Sequence, residues 1–235
     1  MAEQINMLVF DMDGTLTESK SKIDQDFAKY LTKIFKSTDC SIVTGADYDS
    51  VKNQLGFELC YHVKWVFACG GAHVIQNGLT KYKSKWQCKP VIKRFCENFV
   101  RDSDFPHRTG NHFDDRIGMC NFSVVGQGAS KTERRHYIAW DLATNERKEI
   151  AKKINDKFTG VVARVAGETG IDITHQNISK AKIIEYYNKD KLKFFGDKIQ
   201  KGGNDYPLAK VLKPYQCFEV KNWQHTQDLL RDMGF

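Results

Sequence analysis

Residues 5–10 (Ile-Asn-Met-Leu-Val-Phe) form a short apolar run that stops on an acid. That acid opens the segment Asp11-Met12-Asp13-Gly14-Thr15-Leu16-Thr17. A continuous apolar run of this length reads as a buried strand. Two carboxylates, two positions apart, then stand at its carboxyl end, where open α/β sheets bind ligands. The pair suits phosphoryl transfer. One carboxylate attacks phosphorus and holds the group as an aspartyl-phosphate, splitting the transfer into two steps. The other protonates the leaving oxygen and later deprotonates the incoming nucleophile. Gly14 permits a tight turn and a close backbone approach to phosphate. Asp-x-Asp-Gly also occurs in calcium loops, but these need a further Asp or Asn before the Gly and a Glu six residues past it, where this chain has Lys20.

The rest of the chain falls into two textures. Ile23, Phe27, Leu31 and Ile34 recur at helical spacing and predict a helix over 24–37. Strands follow at 41–43, ending at Thr44-Gly45, and at 64–69. Between them Asp47 can cap a short helix stopped by Gly56. Asn77-Gly78 marks a tight hairpin. From about residue 83 the pattern changes: a helix through Val91, Ile92, Phe95 and Phe99, a polar loop over 102–115, a strand over 117–125, a charged helix over 145–158, and strands over 161–165 and 171–174. This stretch lacks the strict alternation of a parallel sheet and reads as α+β. The first texture then returns with a helix over 179–188, a strand over 192–195, a helix near 204–212, a strand over 217–220 and a helix over 223–232. The expected organisation is an α/β core from 1–82 and 178–235, with an α+β cap inserted as 83–177.

Composition excludes several classes. With 41% hydrophobic and 28% charged residues, the chain has enough apolar surface to order itself. No run approaches the roughly 20 apolar residues of a membrane helix, so no membrane partner is expected. Met1-Ala2-Glu3-Gln4-Ile5-Asn6 lacks a basic region followed by an apolar one, so no secretory signal is expected. The seven cysteines are scattered, odd in number and form no Cys-x-x-Cys, which reads as reduced thiols in a cytoplasmic protein. The net charge of +7 is concentrated: residues 81–180 hold 19 Lys and Arg against 12 Asp and Glu, and the remainder holds 17 of each. An anionic partner for the middle of the chain follows, either a phosphorylated small molecule or nucleic acid. Arg134-Arg135-His136-Tyr137 with Trp140 comes nearest to the basic and aromatic interleaving of a nucleic-acid binder, and it is too short to support that partner.

Three further pieces accompany the acid pair. Thr44-Gly45 offers a hydroxyl and a backbone N–H to phosphate oxygens at a second strand end. Lys180 opens a helical segment, where an ammonium and a helix N-terminus can both face an anion. Gly196-Asp197, followed by Gly202-Gly203-Asn204-Asp205, ends a third strand with oxygen donors suited to Mg²⁺.

In this order the pieces resemble the four motifs of the haloacid dehalogenase superfamily of aspartate-nucleophile phosphotransferases. The resemblance implies a doubly wound parallel core, with Asp11 as nucleophile, Asp13 as acid/base, and Thr44 and Lys180 on the phosphoryl oxygens. It also implies Mg²⁺ held by Asp11, the Asp13 backbone carbonyl and Asp197, with Asn204 and Asp205 completing the acidic motif. Within the superfamily, most of the chain resembles the eukaryotic-type phosphomannomutase family. Arg116-Ile117-Gly118-Met119-Cys120-Asn121-Phe122-Ser123 resembles its Arg-Asn-Gly-Met-x-Asn-Val-Ser strand, and Glu133-Arg134 its Glu-Arg pair. Gly167-Glu168-Thr169-Gly170-Ile171-Asp172 sits where the family has Gly-Gln-x-Ser-x-Asp. By that match Arg116 and Arg134 grip the phosphate that is not transferred, and Asn121 and Asp172 meet the sugar hydroxyls. Planar guanidinium forks suit phosphate.

The departures matter as much. Gln127 stands where the family has a further phosphate-binding Arg, Gly170 replaces its Ser, and Thr44 replaces a Gly. Ala68-Cys69-Gly70-Gly71 replaces a Glu-Asn-Gly. The resemblance therefore implies a hexose-phosphate mutase, interconverting mannose 6-phosphate and mannose 1-phosphate with a hexose bisphosphate activator. A sugar-phosphate phosphatase on the same scaffold is the alternative. It also suggests a homodimer formed through the caps.

Overall fold

A computed structural model describes residues 7–235. Residues 5 and 6 of the first expected strand, and the segment inspected for a secretory signal, lie outside the described residues. The chain divides into two compact units. One comprises the chain up to Lys83 together with Ser179–Phe235; the other is Ser84–Ile178.

The first unit is built on a seven-stranded sheet. Its strands are β1 (Met7–Phe10), β2 (Cys40–Val43), β3 (Trp65–Ala68), β4 (His73–Gln76) and β5 (Leu79–Lys83) from the first segment. The second segment supplies β10 (Leu192–Gly196) and β11 (Cys217–Glu219). The order is β11-β10-β1-β2-β3-β4-β5. The five strands from β11 to β3 are parallel, and β4 and β5 add antiparallel pairs around Asn77-Gly78. The buried strands β1 and β3 are apolar throughout and β2 is apolar but for Ser41, as strands covered on both faces tend to be. From β1 the chain winds outward through β2 and β3, then returns on the other side at β10. The switch point thus falls between β1 and β10, where such sheets place ligands. Helices α1 (Gln25–Ser37), α2 (Tyr48–Leu55) and α3 (Phe57–His62) follow the first strands. Asp24 and Asp47 cap α1 and α2 through their side chains, and Gly56 closes α2 with a φ of 79°.

The second unit holds a four-stranded antiparallel sheet of order β6-β7-β9-β8. Its strands are β6 (Phe113–Arg116), β7 (Met119–Phe122), β8 (Val161–Ala166) and β9 (Gly170–His175). Helices α4 (Pro90–Asp102), α5 (Lys131–Thr144) and α6 (Glu146–Lys157) accompany it. Ile92, Cys96, Phe105, Phe122, Tyr137, Ile150, Ile154, Ile171 and Ile173 form its separate core.

Four local expectations change. The strand over 117–125 is instead a hairpin, because Gly118 takes a φ of 66° and turns the chain after β6, which the loop over 102–115 had absorbed. Helix α5 was not expected: only Tyr137 is buried along it, so no apolar stripe marks it. The helix over 179–188 is a 3₁₀ segment, Lys180–Glu185, whose period of three buries Lys180 and Ile183 together. The helix near 204–212 shortens to α7 (Tyr206–Ala209). The last helix, α8 (Trp223–Asp232), lies where expected and starts on an Asn222 cap. Among the described residues no helix is long and apolar enough to cross a membrane.

Candidate active site

Asp11 leaves the end of β1 with its backbone N–H donated to the Phe195 carbonyl of β10 at 2.9 Å. The residue sits at the switch point and is 3% exposed. The next turn is tied tightly: the Gly14 N–H donates to the Thr17 carbonyl, and the Leu16 and Thr17 N–H groups to the Met12 carbonyl. Gly14 has a φ of 84°, and a Cβ there would stand 2.7 Å from Asp197 Oδ2. No side chain fits between the acid loop and Asp197. Asp13, half-buried beside this turn, accepts the Lys20 N–H at 2.8 Å.

Lys180 joins the two halves of the motif set. Its Nζ donates to Asp11 Oδ1 and Asp205 Oδ1, both at 2.6 Å, and the residue is 2% exposed. Burial works against its charge, but Asp11 and Asp205 outweigh burial and hold the ammonium above its usual range. Burial pushes the Asp11 carboxyl up; Lys180 opposes that shift, and Asp205 and Asp197 add to it. The other Asp205 oxygen accepts the Lys198 N–H at 3.1 Å, so both oxygens of Asp205 are engaged. Asp197 takes Lys198 Nζ on Oδ2 at 2.8 Å. Gly196 is required beside it, since a Cβ there would meet Asp205 Oδ2 at 2.6 Å.

Asp11, Asp197 and Asp205 bring carboxylate oxygens within 4.8 Å of one another. Asp197 Oδ1 and Asn204 Oδ1 are buried with no hydrogen-bond partner among the described residues. Such orphaned oxygens are costly unless something satisfies them. Two hard oxygen donors beside a carboxylate cluster are the donor set Mg²⁺ takes, so the residues present fit that ion. Thr44 is buried at the end of β2, and its Oγ1 accepts the Ala46 N–H at 3.1 Å. That bond leaves the hydroxyl proton available to an oxygen. Thr15 Oγ1, which sequence reasoning did not single out, is buried and unpartnered in the same acid loop.

The expected substrate residues all lie in the second unit. Register aligns one residue from each strand in a row: Asp114 of β6, Asn121 of β7, Asp172 of β9 and Arg164 of β8. Asn121 Nδ2 donates to Asp172 Oδ1 at 2.7 Å, and Gln127 Nε2 donates to Asn121 Oδ1 at 2.9 Å. Gly170 leaves room for this group, because a Cβ there would come within 2.5 Å of the Asn121 amide. Arg116 pairs with Asp114 at 2.5 Å, and Arg134 forks onto Glu168 at 2.6 Å. Arg164 escaped the sequence reading. The available signal was an arginine inside the otherwise apolar run Val161-Val162-Ala163-Arg164-Val165.

The eukaryotic phosphomannomutase family matches residues 27–233 of this chain. Phosphomannomutase 2 of Dictyostelium discoideum is 28% identical over 239 residues, covering 97% of this chain and 96% of its own. Among solved structures, the Plasmodium falciparum IMP-nucleotidase superposes with a TM-score of 0.70 at 17% identity, over 100% of this chain and 69% of its own. A phosphatase of the haloacid dehalogenase superfamily from Bacteroides thetaiotaomicron superposes with a TM-score of 0.60 at 18% identity, over 99% and 96%. These structures share the fold: a parallel α/β core carrying a second, antiparallel sheet.

Proposed function

The chain belongs to the eukaryotic phosphomannomutase family, and on that premise we propose that it is a Mg²⁺-dependent phosphotransferase interconverting the 6- and 1-phosphates of mannose. The observation that carries this reading is the buried Asp11–Lys180–Asp205 cluster at the sheet's switch point, with both Lys180 contacts at 2.6 Å. An Asp11 oxygen attacks phosphorus, and the ester bond to the sugar oxygen breaks. Asp13 gives that oxygen its proton. The phosphoryl group then rests on Asp11, with Lys180 and Thr44 on its oxygens. In the second step Asp13 takes the proton from another sugar hydroxyl, which attacks the aspartyl-phosphate and frees Asp11. A hexose bisphosphate is the species common to both steps and serves as activator.

Asp11, the Asp13 backbone carbonyl and Asp197, with Asn204 and Asp205 beside them, would hold Mg²⁺, which would neutralise the charge that gathers between carboxylates and phosphate. Asp205 also positions Lys180. In the inserted unit, Arg116 and Arg134 take the phosphate that is not transferred, Asn121 and Asp172 the sugar hydroxyls, and Gln127 one neutral hydrogen bond. Cysteines that are odd in number, scattered and form no Cys-x-x-Cys support a reducing compartment, the cytoplasm. A homodimer through the inserted units belongs to the same reading.

A phosphatase is the second reading, favoured by two features. Gln127 replaces a guanidinium and already bonds Asn121, and Arg134 is already forked on Glu168. Both reduce the hold on a bisphosphate, giving water time to reach Asp11. A phosphorus NMR time course with mannose 1-phosphate, mannose 6-phosphate and catalytic hexose bisphosphate decides. Exchange of the two monophosphate signals is expected. Inorganic phosphate as sole product establishes the phosphatase, and no reaction with Mg²⁺ present overturns both.

A further inference from the structure

Arg164 sits in the middle of β8, and register places it directly across from Asp172, the residue that also binds Asn121. Every strand of the sheet contributes to this row, and the residues on either side of Arg164, Ala163 and Val165, pair with Ile173 and Ile171 of the apolar row. Arg116, Arg134 and Arg147 of this unit are each forked onto a carboxylate, at 2.5 to 2.8 Å. Arg164 has no carboxylate within 4.0 Å among the described residues, although it is half-buried. Burial opposes its charge, and only the field of Asp172 supports it. A guanidinium does not lose its proton under such conditions; it takes an anion instead. Adjacent strands lie about 4.8 Å apart, so the Arg164 and Asn121 backbones are separated by roughly two spacings. An arginine side chain spans most of that distance.

We propose that Arg164 is a specificity-determining residue that binds the non-transferred phosphate of the substrate, standing in for the guanidinium that Gln127 lacks. The inference rests on the sugar-phosphate reading above. It also accounts for the charge balance of the row. Against the resembling family motifs, position 127 has lost a positive charge and position 168 has gained a negative one. Arg164 returns one positive charge to the same face. The phosphate is then held nearer β8 than a residue at 127 would hold it, which selects among sugar phosphates by where the second phosphate projects.

Binding of hexose 1,6-bisphosphate is measured by calorimetry in an Asp11→Asn background, where no turnover confuses the titration. KM and kcat for mannose 1-phosphate are measured in the unaltered background. Arg164→Ala is expected to weaken bisphosphate binding about ten- to hundredfold, the worth of hydrogen bonds to a charged group. KM rises by a similar factor while kcat falls less. Arg164→Lys restores part of the affinity, since the charge returns without the fork. Gln127→Arg added to Arg164→Ala restores more than it adds to the unaltered chain. If Arg164→Ala lowers the melting temperature but leaves affinity and KM unchanged, Arg164 is a structural neighbour of Asp172 and the proposal falls alone. If the unaltered chain binds and turns over no phosphosugar, the sugar-phosphate reading falls and takes the proposal with it.

Discussion

An ammonium shared by two carboxylates, with all three groups out of water, is stable only as a set. Lys180, Asp11 and Asp205 are 2%, 3% and 0% exposed. Breaking such a set by removing one member leaves an uncompensated charge and costs about 3–5 kcal/mol. Lys180→Met is therefore expected to lower unfolding stability by that amount at neutral pH. The loss shrinks as pH falls. Burial already pushes the Asp11 carboxyl up, and without Lys180 it rises further. A group whose folded pKa is raised contributes stability below its unfolded value and loses it as pH climbs. Denaturant titrations between pH 4 and 8 read this directly, and a pH-independent loss contradicts the shared-charge account. Asp11→Asn keeps the shape but has no carboxylate to attack phosphorus, so it is expected to abolish turnover together with the phosphoenzyme expected in mass spectra of the unaltered chain after exposure to sugar phosphate. A phosphate retained on another residue overturns the assignment of Asp11. Asp11 was legible in the sequence because it ends a buried apolar strand, and Lys180 and Asp205 because they follow it in the order of the four motifs. Thr15 and Arg164 were not: one looks like any loop hydroxyl, and the other becomes informative only when strand register sets it beside Asp172.

Periodicity found the elements that bury a stripe and missed those that do not. Helix α1 buries Phe27, Leu31, Ile34 and Phe35 on one side and was read almost to its ends. Helix α5 buries Tyr137 alone, so its only signature is its start. There Ser130 accepts the Glu133 N–H, and Glu133 accepts the Ser130 N–H at 2.7 Å in return, a reciprocal cap. The edge strand β6 was hidden for the same reason: Asp114, Asp115 and Arg116 read as loop, and only pairing with β7 makes them a strand. Ser130→Ala is expected to cost about 1 kcal/mol, the usual worth of an N-cap side chain. Glu133 adds a pH signature. Hydrogen bonds from Thr109 and Ser130 hold its carboxyl down at about 2. A lowered folded pKa means its contribution is complete above the ordinary glutamate value, near 4.5, and is lost as pH falls toward 2. Glu133→Gln should thus flatten the acid limb of the stability profile. An unchanged acid limb by circular dichroism shows that α5 does not depend on this cap.

The chain is threaded so that its discontinuous unit closes late. β1 pairs with β10 in the register Met7↔Leu192, and Asp11 meets Lys180 across a separation of 169 residues. Nothing of the acidic cluster exists until the last segment has been added, and such non-local pairing is slow to form. Ser84–Ile178, by contrast, is continuous and carries its own core. Expressed alone, residues 84–178 are expected to give dispersed amide NMR signals and a cooperative melt. A collapsed spectrum without dispersion shows that this core needs the other unit.

Mg²⁺ is expected to separate the two units thermodynamically. An ion that binds only the folded form stabilises it by RT ln(1 + [L]/Kd), about 2.7 kcal/mol at a hundredfold excess over Kd. All the residues that would hold it, from Asp11 to Asp205, belong to the discontinuous unit. A stabilisation of that size raises the melting temperature of a unit this large by on the order of 5–10 °C. The shift should appear in the transition of the full chain and be absent from the 84–178 fragment. Asp197→Asn removes a ligand whose Oδ1 has no other partner among the described residues, so it should abolish the shift while leaving the ion-free melt nearly unchanged. Lys180 already neutralises part of the cluster, so the ion-free protein is expected to fold, with Mg²⁺ adding stability rather than creating the fold. Calorimetry with Mg²⁺ and with EDTA tests this. An unfolded chain in EDTA places the ion in the folding core, and an unshifted melt places it outside the Asp11 cluster.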